Sequence, residues 1–151
     1  MCRRLLVALA LAASGCITQE LLEPHVEPGG KVTAMLDGAG PITSTALGDQ
    51  TKDPFSVSGF SPILTFGLVA PAAGTSTLSM ANQAVTLALP SGGVQLEIHA
   101  AGTGCAASSG LVHLSTDGSS NLDGDFTASG TAPDGSACSF TGTLEGVPVS
   151  R

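Results

Sequence analysis

Residues 125–144 read DFTASGTAPDGSACSFTGTL, and this stretch decides the fold. Apolar or small residues alternate with polar ones on both sides of a central Ala132-Pro133-Asp134-Gly135-Ser136. Proline presets the backbone of the first turn position and Gly135 supplies the positive φ that closes it, so the segment predicts a hairpin. If Ala132 stands opposite Ser136, Gly130 faces Cys138, Ala128 faces Phe140 and Phe126 faces Gly142. Each bulky side chain then meets a small one, as a tightly packed sheet requires.

The same two-residue period recurs outward from this hairpin, and no window after Gly30 holds a helical spacing for three turns. Val32, Ala34 and Leu36 alternate before the turn signal Asp37-Gly38, Phe55 and Val57 before Gly59, and Leu64, Phe66 and Leu68 before Pro71. Thr75 to Met80, Ala84 to Leu89, Val94 to Ala100 and Leu111 to Thr116 continue the series. Gln95, Glu97 and His99 fall on the wet side of their strand. The fold class that follows is all-β, an antiparallel β-sandwich or partly open barrel of about eight to ten short strands. All five phenylalanines read as core.

A chain of 151 residues suits one domain, placed at 31–151. Charged residues are only 11%, while the 42% hydrophobic content falls in short alternating runs that can build a core, against disorder. Beyond Cys16, three basic residues (Lys31, Lys52, Arg151) stand against twelve acids, a net charge of −9. No cluster of Lys or Arg is present to neutralise phosphates, which argues against nucleic acid and against electrostatic attraction to an anionic membrane face. A membrane link must then be covalent or inserted.

Residues 1–15 supply the means. Arg3 and Arg4 precede the apolar run Leu5 to Ala13 and then small residues, the three-part form of an export signal peptide. Nine apolar residues are too few to span a bilayer, which takes about twenty. Ala13-Ser14-Gly15-Cys16 resembles the bacterial lipobox, which implies cleavage before Cys16, acylation of that cysteine (palmitate among the chains) and a lipid-anchored N-terminus. Several acyl chains suffice for stable anchoring. Soluble secretion through a nearby small-residue site is the alternative. Ile17 in place of Asp favours, by resemblance to the sorting rule of two-membrane bacteria, the outer membrane, with the domain facing periplasm or cell surface. Residues 16–30 then form the lipidated N-terminus and an acidic tether, ITQELLEPHVEPGG after the cysteine, with Glu20, Glu23, Glu27 and a solvated His25. As a flexible coil it reaches roughly 20 Å.

The segments VTAMLDGAGP, PAAGTSTLSM, SGLVHLSTDG and LDGDFTASGTAPDGSACSFTGTLEGV resemble a loose, uncharacterised group of small bacterial envelope lipoproteins. The resemblance spans most of the exported chain and implies the all-β fold and the lipid anchor, but no activity.

Cys2 and Cys16 belong to the leader, which leaves Cys105, in a Gly/Ser loop, and Cys138, at the start of the last strand. An even pair in an oxidising compartment reads as a disulfide; a redox or zinc pair lacks CxxC spacing and an adjacent histidine. Two weak ion sites can be drawn. If Val94 to Ala100 pairs with Leu111 to Thr116, His99 can lie opposite His113 with Glu97 beside it, a possible zinc set whose plain reading is two solvated histidines. Asp117, Asn121, Asp123 and Asp125 crowd one turn and offer oxygen ligands, yet DGSSNLDGD lacks the glycine and glutamate of a calcium loop. The expectation is therefore no metal and no cofactor.

No GxSxG elbow surrounds any serine and no free thiol remains after the bridge, so the chain does not read as an enzyme. The absence of Trp and Tyr disfavours sugar binding. Two functions survive: a lipid-anchored structural or interaction domain with an envelope protein partner, and a small apolar-ligand carrier with a cavity in a β-barrel. A core filled by Phe66, Leu87, Ile98, Phe126 and Phe140 would favour the first.

Overall fold

The alternation in residues 125–144 is realised residue for residue in the computed structural model, which describes residues 29–51, 53–71, 75, 78, 83–100, 102–116 and 121–150. Nine strands are described: β1 (Gly30–Leu36), β2 (Ile42–Asp49), β3 (Phe55–Phe60), β4 (Leu64–Ala70), β5 (Ala84–Leu89), β6 (Gln95–Ala100), β7 (Thr103–Thr116), β8 (Asn121–Thr131) and β9 (Ala137–Ser150). In the β8–β9 hairpin, Gly130 pairs with Cys138, Ala128 with Phe140 and Phe126 with Gly142, while the Ala132 N–H donates to the Ser136 carbonyl at 2.9 Å.

Eight of the strands close into an antiparallel barrel in the order β1-β2-β3-β4-β6-β7-β8-β9, with β9 returning to β1. Closure leaves none of these eight strands as a sheet edge, and it replaces the partly open barrel among the expected forms. β5 is the extra strand. It pairs with β7 from Ala84↔Ser115 to Leu89↔Gly110, along the same edge that β6 uses nearer the start of β7 (Ile98↔Cys105). β5 and β6 thus follow one another along β7, separated by Pro90 and one 3₁₀ turn, Ser91–Gly93.

The interior is built from unequal partners. Phe66 and Phe126 lie with ring centroids 5.1 Å apart, and Phe126 and Phe140 meet edge to face at 6.1 Å. Around them β1, β2 and β3 turn small side chains inward: Ala34, Ser44, Ala46 and Gly59. Gly142 is required by close approach, because a Cβ there would stand 2.9 Å from Cε2 of Phe126 and overlap the Thr33 carbonyl oxygen. An eight-stranded barrel is just wide enough for side chains to fill, and here phenylalanine and leucine fill it.

Strand direction fixes what lies at each end. The start of β1, the end of β9 and the connections β2–β3 and β7–β8 share one end, while the turns after β1, β3, β6 and β8 share the other. The turn after β1 takes Asp37 and Gly38 at positive φ (49° and 73°), closed by Ala39 N–H to the Leu36 carbonyl at 2.9 Å, the hairpin geometry that the Asp-Gly pair signals.

Two expectations are corrected and one strand is added. Thr75 and Leu78, the described residues of the expected strand Thr75 to Met80, have helical and 3₁₀ backbone, and both are buried. β2 went unread because its inward residues are Ser44, Ala46 and Gly48 while Leu47 points outward, so hydrophobicity runs against the pattern. The Gly/Ser stretch around Cys105 is the first half of β7, carrying a bulge between Ala107 and Ser109.

Candidate functional site

Among the described residues, no Asp, Glu, Lys or His side chain is buried, so the ionisable groups lie on the outer wall and in the turns. At the end of the barrel opposite the start of β1, Cys105 of β7 and Cys138 of β9 form a disulfide with Cα atoms 6.0 Å apart, both cysteines buried. It ties together the two strands that flank β8. Beside it, a shallow depression of about 160 Å³ is bordered by Glu97, His99 and Pro133.

His99 does not face His113. β6 meets only the first part of β7, so His99 stands opposite Gly104, where an added Cβ would come 2.8 Å from the imidazole Cε1. The edge of β7 at His113 is taken by β5, and the Thr86 hydroxyl lies 2.9 Å from His113 Nδ1. The weak zinc candidate of Glu97, His99 and His113 is therefore not assembled, and among the described residues no three His, Cys, Asp or Glu side chains converge on a common point. The residues of the weak calcium candidate are also dispersed. Asn121, Asp123 and Asp125 are spread along β8, and Asp123 Oδ1 accepts the Gly146 N–H at 2.7 Å; Asp117 lies outside the described residues.

What register does assemble is a row of polar groups across six strands: Thr43, Thr33, Thr143, Asp125, His113 and Thr86, each directly opposite the next. Thr33 and Thr43 share a hydroxyl hydrogen bond of 3.1 Å. At the far end, Asp134 Oδ1 accepts from the Ser136 hydroxyl at 2.6 Å and from its N–H at 2.9 Å. These two bonds, the hydroxyl one foremost, hold the Asp134 carboxyl below its ordinary pKa.

The second feature of the wall is apolar. β1 begins at Gly30, but β2 and β9 continue past it and meet in parallel, Gly48 with Val149 and Asp49 with Ser150. The furrow over this junction has a volume of about 800 Å³ and is bordered by Leu47, Asp49, Ser58, Phe60, Pro148 and Ser150. Phe60 is 69% exposed and Leu47 58%. Phe60 corrects the expectation that every phenylalanine is core. The signal was present: Phe55, Val57 and Gly59 share one face of β3, which places Phe60 on the other.

The leader, Cys16 and the acidic tether lie outside the described residues. No protein-family model, curated protein or solved structure matches the chain.

Proposed function

We propose that the chain is a lipid-anchored domain of the cell envelope, attached through Cys16, which acts through protein contacts on the outer wall of its barrel rather than as an enzyme. The observation that carries this reading is the filled interior: Phe66, Phe126, Phe140, Leu87 and Ile98 occupy the volume that a carrier would offer to its cargo. A molecule with a packed core works from its surface. The lipobox-like Ala13-Ser14-Gly15-Cys16 supports the anchor, and the start of β1 at one end of the barrel supports presentation of the opposite end away from a membrane. The site is the envelope, with the outer membrane favoured by Ile17.

Two experiments test it. Cys16→Ser is expected to move the protein from the membrane fraction to the soluble fraction, and a variant still bound to membranes would overturn the anchor. Crosslinked capture of the anchored protein from envelope membranes is expected to retain a protein partner. The closed barrel is compatible with a second reading, a small apolar-ligand carrier, in which the phenylalanine rings move apart to admit cargo. Bound apolar molecules extracted from the purified protein would favour that reading.

A further inference from the structure

Phe60 and Leu47 are the most exposed large apolar side chains among the described residues, and both sit where the chain enters the barrel. Phe60 stands opposite Thr45, and Thr45 opposite Lys31, the second residue of β1. Leu47 lies one residue past Ala46, the partner of Gly30 at the start of β1. A Cβ on Gly29 would overlap the Thr45 methyl and stand 3.7 Å from Leu47 Cδ2, so the backbone at Gly29 lies against this same wall. Leu111, also exposed, belongs to β7 on the other side of the barrel.

The stretch from Cys16 to Gly29, taken as a flexible coil, reaches roughly 20 Å, and at most about 45 Å when extended. A surface that holds Cys16 is therefore within reach of the wall at Leu47 and Phe60, and so short an attachment presents that wall at high effective concentration. The furrow there pairs Leu47, Phe60 and Pro148 with a rim of hydroxyls from Ser56, Ser58 and Ser150. An exposed apolar strip with a polar rim marks contact with a protein or a membrane, and its place beside the attached end selects the membrane. Asp49 borders the furrow and the chain beyond Cys16 is strongly acidic, which disfavours anionic lipid and selects a zwitterionic surface.

We propose that the wall formed by Leu47, Phe60 and Pro148 rests on a zwitterionic phospholipid surface, with the Leu47 and Phe60 side chains entering the boundary between headgroups and acyl chains. The contact presupposes the lipid attachment through Cys16 proposed for this chain. It gives the anchored barrel a fixed lean, with β2 and β3 against the membrane, and leaves the wall of β7 and β8 turned outward for protein contacts.

The sequence contains no Trp, so a single indole reports from one place. Full chains carrying Phe60→Trp, Leu47→Trp or Leu111→Trp are isolated from envelope membranes, reconstituted in phosphatidylcholine vesicles and compared with and without bromine on the acyl chains. Phe60→Trp and Leu47→Trp are expected to emit at shorter wavelength in vesicles and to lose most of their emission to brominated lipid, while Leu111→Trp changes in neither respect. Equal quenching of all three, or quenching of none in chains that float with the vesicles, would overturn the proposal and leave the anchor standing. Chains absent from the membrane fraction, or unable to float with vesicles, would overturn the anchor and the contact with it. A shift to shorter wavelength at position 60 that brominated lipid does not quench, in a particle with the mass of a dimer, would overturn the proposal in favour of a second copy.

Discussion

The strands of the carboxyl-terminal third and those of the amino-terminal half build one barrel by opposite means. β7, β8 and β9 are 14, 11 and 14 residues long, carry the disulfide and send Phe126 and Phe140 into the lumen. β1 to β4 are 6 to 8 residues long, and β1, β2 and β3 answer with Ala34, Ala46 and Gly59. Small inward residues on β1, β2 and β3 leave room for the rings that β8, β9 and, among the short strands, β4 through Phe66 send into the lumen. Shape complementarity across the lumen, not hydrophobicity on every strand, is what closes this barrel.

The comparison is broken most directly at Phe126. Phe126→Ala is expected to cost about 3–5 kcal/mol in urea unfolding, because the ring touches Phe66 and Phe140 and its cavity would be lined by rigid strands. A loss below about 1 kcal/mol would mean that the lumen collapses around the gap and that the long strands hold no special place. Next in size is the bridge between β7 and β9. Reducing a disulfide that closes a 33-residue separation is expected to lower stability by about 3–4 kcal/mol on the chain-entropy account, seen as a fall in melting temperature with reductant.

Within the long strands, the fit around Phe126 is probed by adding volume instead of removing it, at Gly142 of β9. Gly142→Ala places a methyl against Phe126 and the Thr33 carbonyl oxygen, and is expected to cost about 1–3 kcal/mol. Phe60→Ser, on the outer wall, is expected to change stability by no more than about 0.5 kcal/mol although it too removes a phenylalanine. The contrast between Phe60 and Phe126 in the same denaturation assay separates wall from lumen.

The smallest effect belongs to the turn that joins β8 and β9. Hydrogen bonds from Ser136 depress the folded pKa of Asp134 below 3.8, so the ionised carboxylate stabilises the fold above that pH. That contribution is lost as pH falls through the depressed value. The melting temperature of Asp134→Ala should therefore lie slightly below that of the parent at neutral pH and converge with it in strong acid. A constant difference at all pH values would show that the turn does not depend on the charge.

How much of this was legible in the sequence depended on which partner carried the bulk. The β8–β9 hairpin was readable to single pairs because its large residues, Phe126 and Phe140, are inward and its turn residues are specific. β2 was not, since its buried residues Ser44, Ala46 and Gly48 are small and Leu47 points to water. The imagined meeting of His99 and His113 failed for a topological reason: a strand far shorter than β7 leaves room on the same edge for another, and β5 takes it. No local pattern encodes that sharing. The furrow escaped notice because it arises where β1 stops and its neighbours do not, a property of three strands at once. The even cysteine count, with the oxidising compartment that the export-like leader implies, pointed to the bridge between Cys105 and Cys138.

The protein we propose is a filled barrel held at a membrane by a lipid and working from its outer wall. Native mass spectrometry of the protein purified from envelope membranes tests both halves in one spectrum. The expected result is a chain beginning at Cys16 whose mass exceeds that of the polypeptide by covalent lipid alone. An unmodified chain, or an apolar molecule retained non-covalently within the barrel, would contradict it.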